Sequence, residues 1–209
     1  MPALPAGPFL YPVVDAALLG GRPVGPSVAA LVAGGARIVQ LRAKGLSDGR
    51  LLELAAEALA VTRGAGALLV VNDRPDVARI LGADGVHLGQ EDLAPHDVRA
   101  LLAPGSIVGL STHSLEQLAR AEAEPVDYVA IGPVFPTRTK SHPDPVVGLE
   151  MVRRARERTR RPLVAIGGIT SENARSVVEA GADGVAVISA LLLAADLEGA
   201  AREMSRRLR

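Results

Sequence analysis

Eight short apolar runs punctuate the chain, and most are followed by an amphipathic or polar stretch. Few folds accommodate that rhythm. The runs span 9–14, 38–41, 68–71, 85–88, 107–110, 128–131, 163–166 and 185–188. They are rich in Val and Ile and bounded by glycine or polar residues, as strands covered on both faces are. Helical spacing fills the intervals. Residues 47–62 carry Leu51, Leu52, Leu54, Ala55, Ala58 and Leu59 on one side, with Ser47 as N-cap. Residues 114–123 open with the Ser114-to-Gln117 pattern of a capping box. Residues 171–180 begin on a polar cap and end at Gly181, a left-handed C-cap.

Strand followed by helix, eight times over, predicts a parallel sheet. With 209 residues, the chain sits near the lower limit of about 200 for an eight-fold barrel. The competing doubly wound sheet usually places a Gly-x-Gly-x-x-Gly fingerprint after its first strand. Here the first run leads into Asp15-Ala16-Ala17-Leu18-Leu19-Gly20-Gly21, which does not match. The predicted fold is therefore an α/β (β/α)8 TIM barrel forming a single domain over 9–209. A flexible Pro-rich leader occupies 1–8, and the basic tail 202–209 ends the last helix. Gly82-Ala83-Asp84-Gly85-Val86 recurs as Gly181-Ala182-Asp183-Gly184-Val185, with Gly34-Gly35-Ala36-Arg37-Ile38 a looser version. Each reads as a helix end, a small turn and a strand start. This turn chemistry is common to α/β proteins and names no function.

Composition excludes several classes. Lys plus Arg (23) balances Asp plus Glu (23), so no basic field draws nucleic acid. Phe9, Tyr11, Tyr128 and Phe135 are the only aromatic residues besides histidine, too few for base stacking. There is no cysteine, which removes disulfides, thiolate metal sites and cysteine nucleophiles. The first residues lack the charged and apolar regions of a signal peptide, and the apolar run 185–195 is too short to span a bilayer. The expectation is a cytoplasmic protein that uses neither membrane nor nucleic acid and acts on small molecules. A homo-oligomer is compatible with the sequence, which does not define the oligomeric state.

In such a barrel, chemistry gathers where the strands end. After the second run, alternation sends Gln40, Arg42 and Lys44 to one face; alone, the cations could simply start a solvated loop. After the third comes Asn72-Asp73-Arg74-Pro75, in which Pro75 at a first helical position makes Asp73 or Arg74 the cap. After the fourth comes His87-Leu88-Gly89-Gln90-Glu91-Asp92. Two carboxylates, Asp73 and Asp92, near Arg42 and Lys44 suggest Mg²⁺ shared with substrate phosphate oxygens. Glu91 is a poorer candidate ligand than Asp92, because alternation would point its side chain the other way. Ser111-Thr112-His113 follows the fifth run, but a Ser–His pair two residues apart rarely makes the contact a nucleophile needs. His87 reads as an inward packing or hydrogen-bonding residue, and His96 as helix surface.

After the sixth run, Gly132-Pro133-Val134-Phe135-Pro136-Thr137-Arg138-Thr139-Lys140 places hydroxyls and cations together, a grip for phosphate or diphosphate. Gly167-Gly168-Ile169-Thr170 and Ile188-Ser189-Ala190 follow the last two runs. In these barrels, loops seven and eight and a helix start form a recurrent phosphate site.

Taken in order and spacing, these pieces resemble the thiamine-phosphate synthase family over about 11–191. The resemblance rests on Gln40-Leu41-Arg42 with Lys44, Asn72-Asp73-Arg74, Gly85 to Gln90 with Asp92, Ser111 with His113, Gly132 to Lys140, and Ile166-Gly167-Gly168-Ile169. It implies a transferase joining a hydroxymethylpyrimidine diphosphate to a thiazole phosphate with release of diphosphate. The implied transition state is dissociative and needs no protein nucleophile. The resemblance implies Gln40, Arg42, Lys44, Asn72, Ser111 and Lys140 on the pyrimidine diphosphate, with Arg42, Lys44, Ser111 and Lys140 catalytic. It implies Asp73 and Asp92 on Mg²⁺, and Thr137, Arg138, Thr139, Gly168, Ile188 and Ser189 on the thiazole phosphate. Many members carry an acid soon after the lysine, where this chain reads Ser141-His142-Pro143-Asp144. The alternatives are a thiazole tautomerase on the same barrel, which would not need the metal and diphosphate set, and a non-catalytic regulator of the pathway.

Overall fold

The computed structural model of the chain describes residues 2–137, 139 and 144–209. Strands β1 (Phe9–Asp15), β2 (Ile38–Arg42), β3 (Leu68–Asn72), β4 (Gly85–Leu88), β5 (Ile107–Thr112), β6 (Tyr128–Ile131), β7 (Leu163–Ile166) and β8 (Gly184–Val187) follow one another around a closed barrel. Every pairing is parallel, and β1 meets β8 from Phe9↔Gly184 to Pro12↔Val187. Helices α1 (Val24–Ala33), α2 (Asp48–Gly64), α3 (Pro75–Leu81), α4 (Pro95–Leu101), α5 (Leu115–Glu122), α6 (Gly148–Arg158) and α7 (Ala174–Glu179) lie between strands. Helices α8 (Ser189–Leu192) and α9 (Leu197–Arg207) follow β8. The (β/α)8 barrel expected from the sequence is the observed fold.

Element limits shift where side chains compete for the backbone. Strand β8 ends at Val187 because Ile188 leaves the extended region (φ −115°, ψ −86°) to precede α8. Helix α7 starts three residues later than 171, at Ala174. The Asn173 carboxamide holds a turn there, accepting from Thr170 N–H at 2.8 Å and donating to Gly168 C=O at 3.0 Å. Ser47 and Ser114 cap as expected, accepting from Arg50 N–H and Gln117 N–H. The Gln117 carboxamide, however, accepts from His113 N–H at 2.6 Å rather than from Ser114. Pro75 opens α3 with Arg74 as N-cap, without a side-chain capping bond.

Two apolar layers hold the barrel. Outward strand residues such as Val14, Leu41, Val71, Leu88 and Val129 pack against Val28, Leu54, Val77 and Leu118 of the helices, all buried. Full burial of each such side chain contributes about 1.5–3 kcal/mol. Inward residues Phe9, Ile38, Val70, Ile107, Tyr128 and Val164 fill the interior, and Leu4 packs against them from the leader. The interior is tight enough to require glycine. A Cβ on Gly109 would lie 2.0 Å from the Tyr128 ring, and one on Gly184 would lie 2.5 Å from the Phe9 ring.

At the N-terminal end, three aspartates clip strand to strand. Asp84, Asp127 and Asp183 each precede an even-numbered strand. Their carboxylates accept from Leu69, Val108 and Leu163 N–H at 2.8, 2.7 and 2.8 Å. Their own N–H groups donate to the carbonyls of those same residues. The repeated Gly-Ala-Asp-Gly-Val segments carry two of these clips, which gives the turn repeat a structural purpose.

Candidate active site

Inward positions change from apolar to polar toward the C-terminal mouth. In register, Val70, Gly85 and Ile107 lie side by side, and one step on Asn72, His87 and Gly109 do the same. The mouth opens into a cavity of about 610 Å³. Its lining brings together Gln40, Arg42, Lys44, Asn72, Asp73, Asp92, Ser111, Thr137, Thr139, Gly168, Ile188 and Ser189. Arg138, Lys140 and His142 lie outside the described residues.

On one side of the cavity, cations and carboxylates are paired. Arg42 binds Asp15, which ends β1 directly opposite it in register and is 2% exposed. Lys44 Nζ sits 2.8 Å from Asp73 Oδ2. Asp73 adopts φ 61°, the left-handed region, which costs about 1–2 kcal/mol in a residue with a Cβ. Its N–H donates to His87 C=O at 2.9 Å and so fixes the turn. The turn aims Asp73 toward Asp92, whose own carboxylate accepts from Gly89 N–H at 2.6 Å. Desolvation, then the neighbouring Asp73, pushes the Asp92 carboxyl above its ordinary range, while Lys44 and the Gly89 N–H oppose the rise. Among the described residues no group of three or more His, Asp or Glu gathers as a metal cage. Glu91, expected from alternation to point the other way, also lines the cavity.

On the other side, strand ends seven and eight supply backbone. Gly168 has φ 63°, and a Cβ there would lie 2.7 Å from Phe135 Cβ, so glycine lets this loop pass under the β6 loop. In α8 the Leu191 and Leu192 N–H groups donate to Ile188 C=O, which leaves the Ser189 and Ala190 N–H groups at the helix start outside the helical ladder. Thr137 and Thr139 hydroxyls meet at 3.0 Å and line the same cavity. His113 Nδ1 holds Gly132 C=O at 2.6 Å, tying the end of β5 to this loop, and its Nε2 lies 3.6 Å from Asp144.

The floor of the cavity is a chain of buried polar groups. Gln40 Nε2 donates to Tyr11 OH at 3.2 Å, and Tyr11 OH meets Tyr128 OH at 2.9 Å. Tyr128 OH meets His87 Nδ1 at 2.8 Å, and His87 Nε2 meets Ser111 Oγ at 2.8 Å. Ser111 thus pairs with His87, not with His113, and the inward hydrogen-bonding histidine expected from the sequence is observed. Burial raises both phenols well above the ordinary tyrosine range and keeps them protonated. Tyr11, Tyr128 and Asp15 were not singled out by sequence as site residues. The available signal was a period of two: Tyr11 and Asp15, Gln40 and Arg42, His87, Ser111 and Tyr128 all fall on the inward parity of their strands.

The fold and this cavity define a (β/α)8-barrel enzyme whose candidate site lies at the strand C-termini. Residues 10–191 match the sequence profile of the family described as thiamine monophosphate synthase, to which the chain belongs. It is 48% identical over 193 residues to a thiamine-phosphate synthase of Koribacter versatilis, covering 89% of this chain and 90% of that one. It is 44% identical to that of Moorella thermoacetica over 93% of each chain. Among solved structures, a thiamine phosphate pyrophosphorylase from Pyrococcus furiosus superposes with a TM-score of 0.87. That pair shares 39% identity over 96% of this chain and 95% of the other.

Proposed function

We propose that the chain condenses 4-amino-2-methyl-5-(diphosphooxymethyl)pyrimidine with 4-methyl-5-(2-phosphooxyethyl)thiazole, forming thiamine phosphate and diphosphate. The observation that carries this reading is a single cavity with two unlike anion-handling walls, in a member of this family. One wall offers Arg42, Lys44, Asn72 and the Asp73–Asp92 pair to a diphosphate. The other offers Thr137, Thr139, Gly168, Ile188 and Ser189 to a monophosphate.

Asp73 and Asp92 fit a divalent cation of the Mg²⁺ type. Two facing carboxylates, one with a raised pKa, are relieved by a cation that takes one or two carboxylates and completes its shell with phosphate and water. Bound there, Mg²⁺ would supply electrostatic stabilisation to the leaving diphosphate. Lys44 would then exchange Asp73 for a phosphate oxygen, while Asp15 keeps Arg42 extended along the same wall. Gln40 and Asn72 orient the pyrimidine end, and Ser111 donates from the floor. Arg138 and Lys140 complete the thiazole phosphate and diphosphate contacts in this reading.

The carbon–oxygen bond to diphosphate breaks as charge moves onto the leaving group, and the thiazole nitrogen takes the carbon. No protein nucleophile takes part. The wall groups act by electrostatic preorganisation, and each is worth about 10²–10³ in rate, as for an oxyanion donor. Purified protein incubated with both substrates and Mg²⁺ should yield thiamine phosphate by mass, and omission of either substrate should abolish it. Folded protein that forms no product would sink the reading.

A further inference from the structure

The floor of the cavity has a direction. We propose that Gln40, Tyr11, Tyr128, His87 and Ser111 form a one-way relay of hydrogen-bond donors that presents the Ser111 hydroxyl proton to an acceptor atom of the bound pyrimidine diphosphate. In it, Tyr11, Tyr128 and His87 are positioning residues. The proposal rests on the synthase reading for the identity of the substrate, but not for the direction of the relay.

The direction follows from counting protons. Gln40 Nε2 is a donor only, so Tyr11 oxygen accepts at 3.2 Å and its single proton must point elsewhere. The polar atom facing it is Tyr128 oxygen, 2.9 Å away. Tyr128 therefore accepts from Tyr11 and gives its own proton to His87 Nδ1 at 2.8 Å. A neutral imidazole that accepts at Nδ1 carries its proton on Nε2, so His87 donates to Ser111 Oγ at 2.8 Å. Ser111, with an oxygen lone pair already engaged, keeps its one proton for the cavity. Both phenols are at most 1% exposed, so water does not intervene, and burial keeps each phenol protonated. Gly109 permits the arrangement, since a Cβ there would strike the Tyr128 ring and hydroxyl. Tyr128 also stacks on His87, with centroids 5.5 Å apart and planes at 23°, which restrains the imidazole from turning.

The purpose is a hydroxyl with a fixed sense. A serine alone on a strand end rotates freely and can donate or accept. One that accepts from below does not spend its proton there, so the proton is left to donate upward, toward an oxygen or ring nitrogen of the substrate, without reorganising as charge develops.

The experiment reads the tautomer and the rate separately. Histidine ¹⁵N–¹H long-range spectra of the full chain, assigned by single substitution among its four histidines, should show His87 with a proton on Nε2 and none on Nδ1. A proton on Nδ1 overturns the direction. Tyr128→Phe should leave the thermal transition cooperative, mix the two His87 tautomers, and lower kcat by roughly tenfold. Its KM for the thiazole phosphate should not change. A mixed tautomer with unchanged kcat overturns the positioning role while leaving the synthase reading intact. Failure of the wild-type protein to form product would sink that reading and still leave the tautomer result to judge the relay.

Discussion

At the N-terminal end of the barrel, Asp84, Asp127 and Asp183 stand one residue ahead of a strand and take a backbone N–H of the strand before it. At the C-terminal mouth, Asp15, Asp73 and Asp92 stand at or beyond strand ends; Asp15 and Asp92 each take a local backbone N–H, from Ala17 and Gly89, but the group also meets Arg42 and Lys44, and Asp73 and Asp92 face one another. The residue type is the same, but the partners differ. A carboxylate answered by fixed backbone donors has little left for a ligand, and its contribution is stability. A carboxylate crowded by another carboxylate is incompletely answered, and in the proposed reading a cation would complete it. The difference explains how one barrel separates folding from chemistry between its two ends.

Substitution at the mouth should have the largest effect. Asp73→Asn and Asp92→Asn should each lower Mg²⁺-dependent turnover by about 10²–10³, read from diphosphate release across a Mg²⁺ titration, with the melting temperature nearly unchanged. Equal activity at every Mg²⁺ concentration would remove these residues as ligands. At the other end the pattern should invert. Asp127→Ala strips Val108 N–H of its carboxylate partner and Arg99 of its ion pair. The cost should be about 1–3 kcal/mol, or roughly 3–10 °C in Tm, with kcat at room temperature intact. If this variant lost turnover while melting normally, the division between the two ends would fail.

A smaller effect is expected across the cavity. Ser189→Asp sets a negative charge at the start of α8 and should raise KM for the thiazole phosphate by roughly tenfold, sparing KM for the pyrimidine diphosphate. An unchanged value would move the monophosphate elsewhere. The smallest effect concerns pH. Because the folded Asp92 carboxyl titrates above its unfolded value, the folded state holds that proton more tightly. Its stabilising contribution is full below the unfolded pKa and is lost as pH rises through the folded pKa. Asp92→Asn should flatten denaturation midpoints over that window. A slope identical to that of the wild type would mean that neither burial nor Asp73 raises the Asp92 carboxyl.

The fold was legible because buried parallel strands are written as contiguous Val- and Ile-rich runs. Strands β4, β6 and β7 coincide with the predicted runs, whereas limits set by a side chain, such as Asn173 delaying α7, leave no periodic trace. At the site, the polar residues that follow strand ends were legible, since position along a strand already places them at the mouth. Tyr11 and Tyr128 were not. They lie inside apolar runs, where an aromatic reads as core, and only the closed barrel sets their hydroxyls against one another across 117 residues of sequence. Asp15 escaped for a similar reason: its value depends on lying opposite Arg42 in register.

The most direct measurement is the rate of diphosphate release by purified protein, with each substrate and Mg²⁺ supplied or withheld. The expected result is release only when pyrimidine diphosphate, thiazole phosphate and Mg²⁺ are all present, at one diphosphate per thiamine phosphate formed. Release that persists in excess chelator, or none from folded protein with every component present, would contradict it.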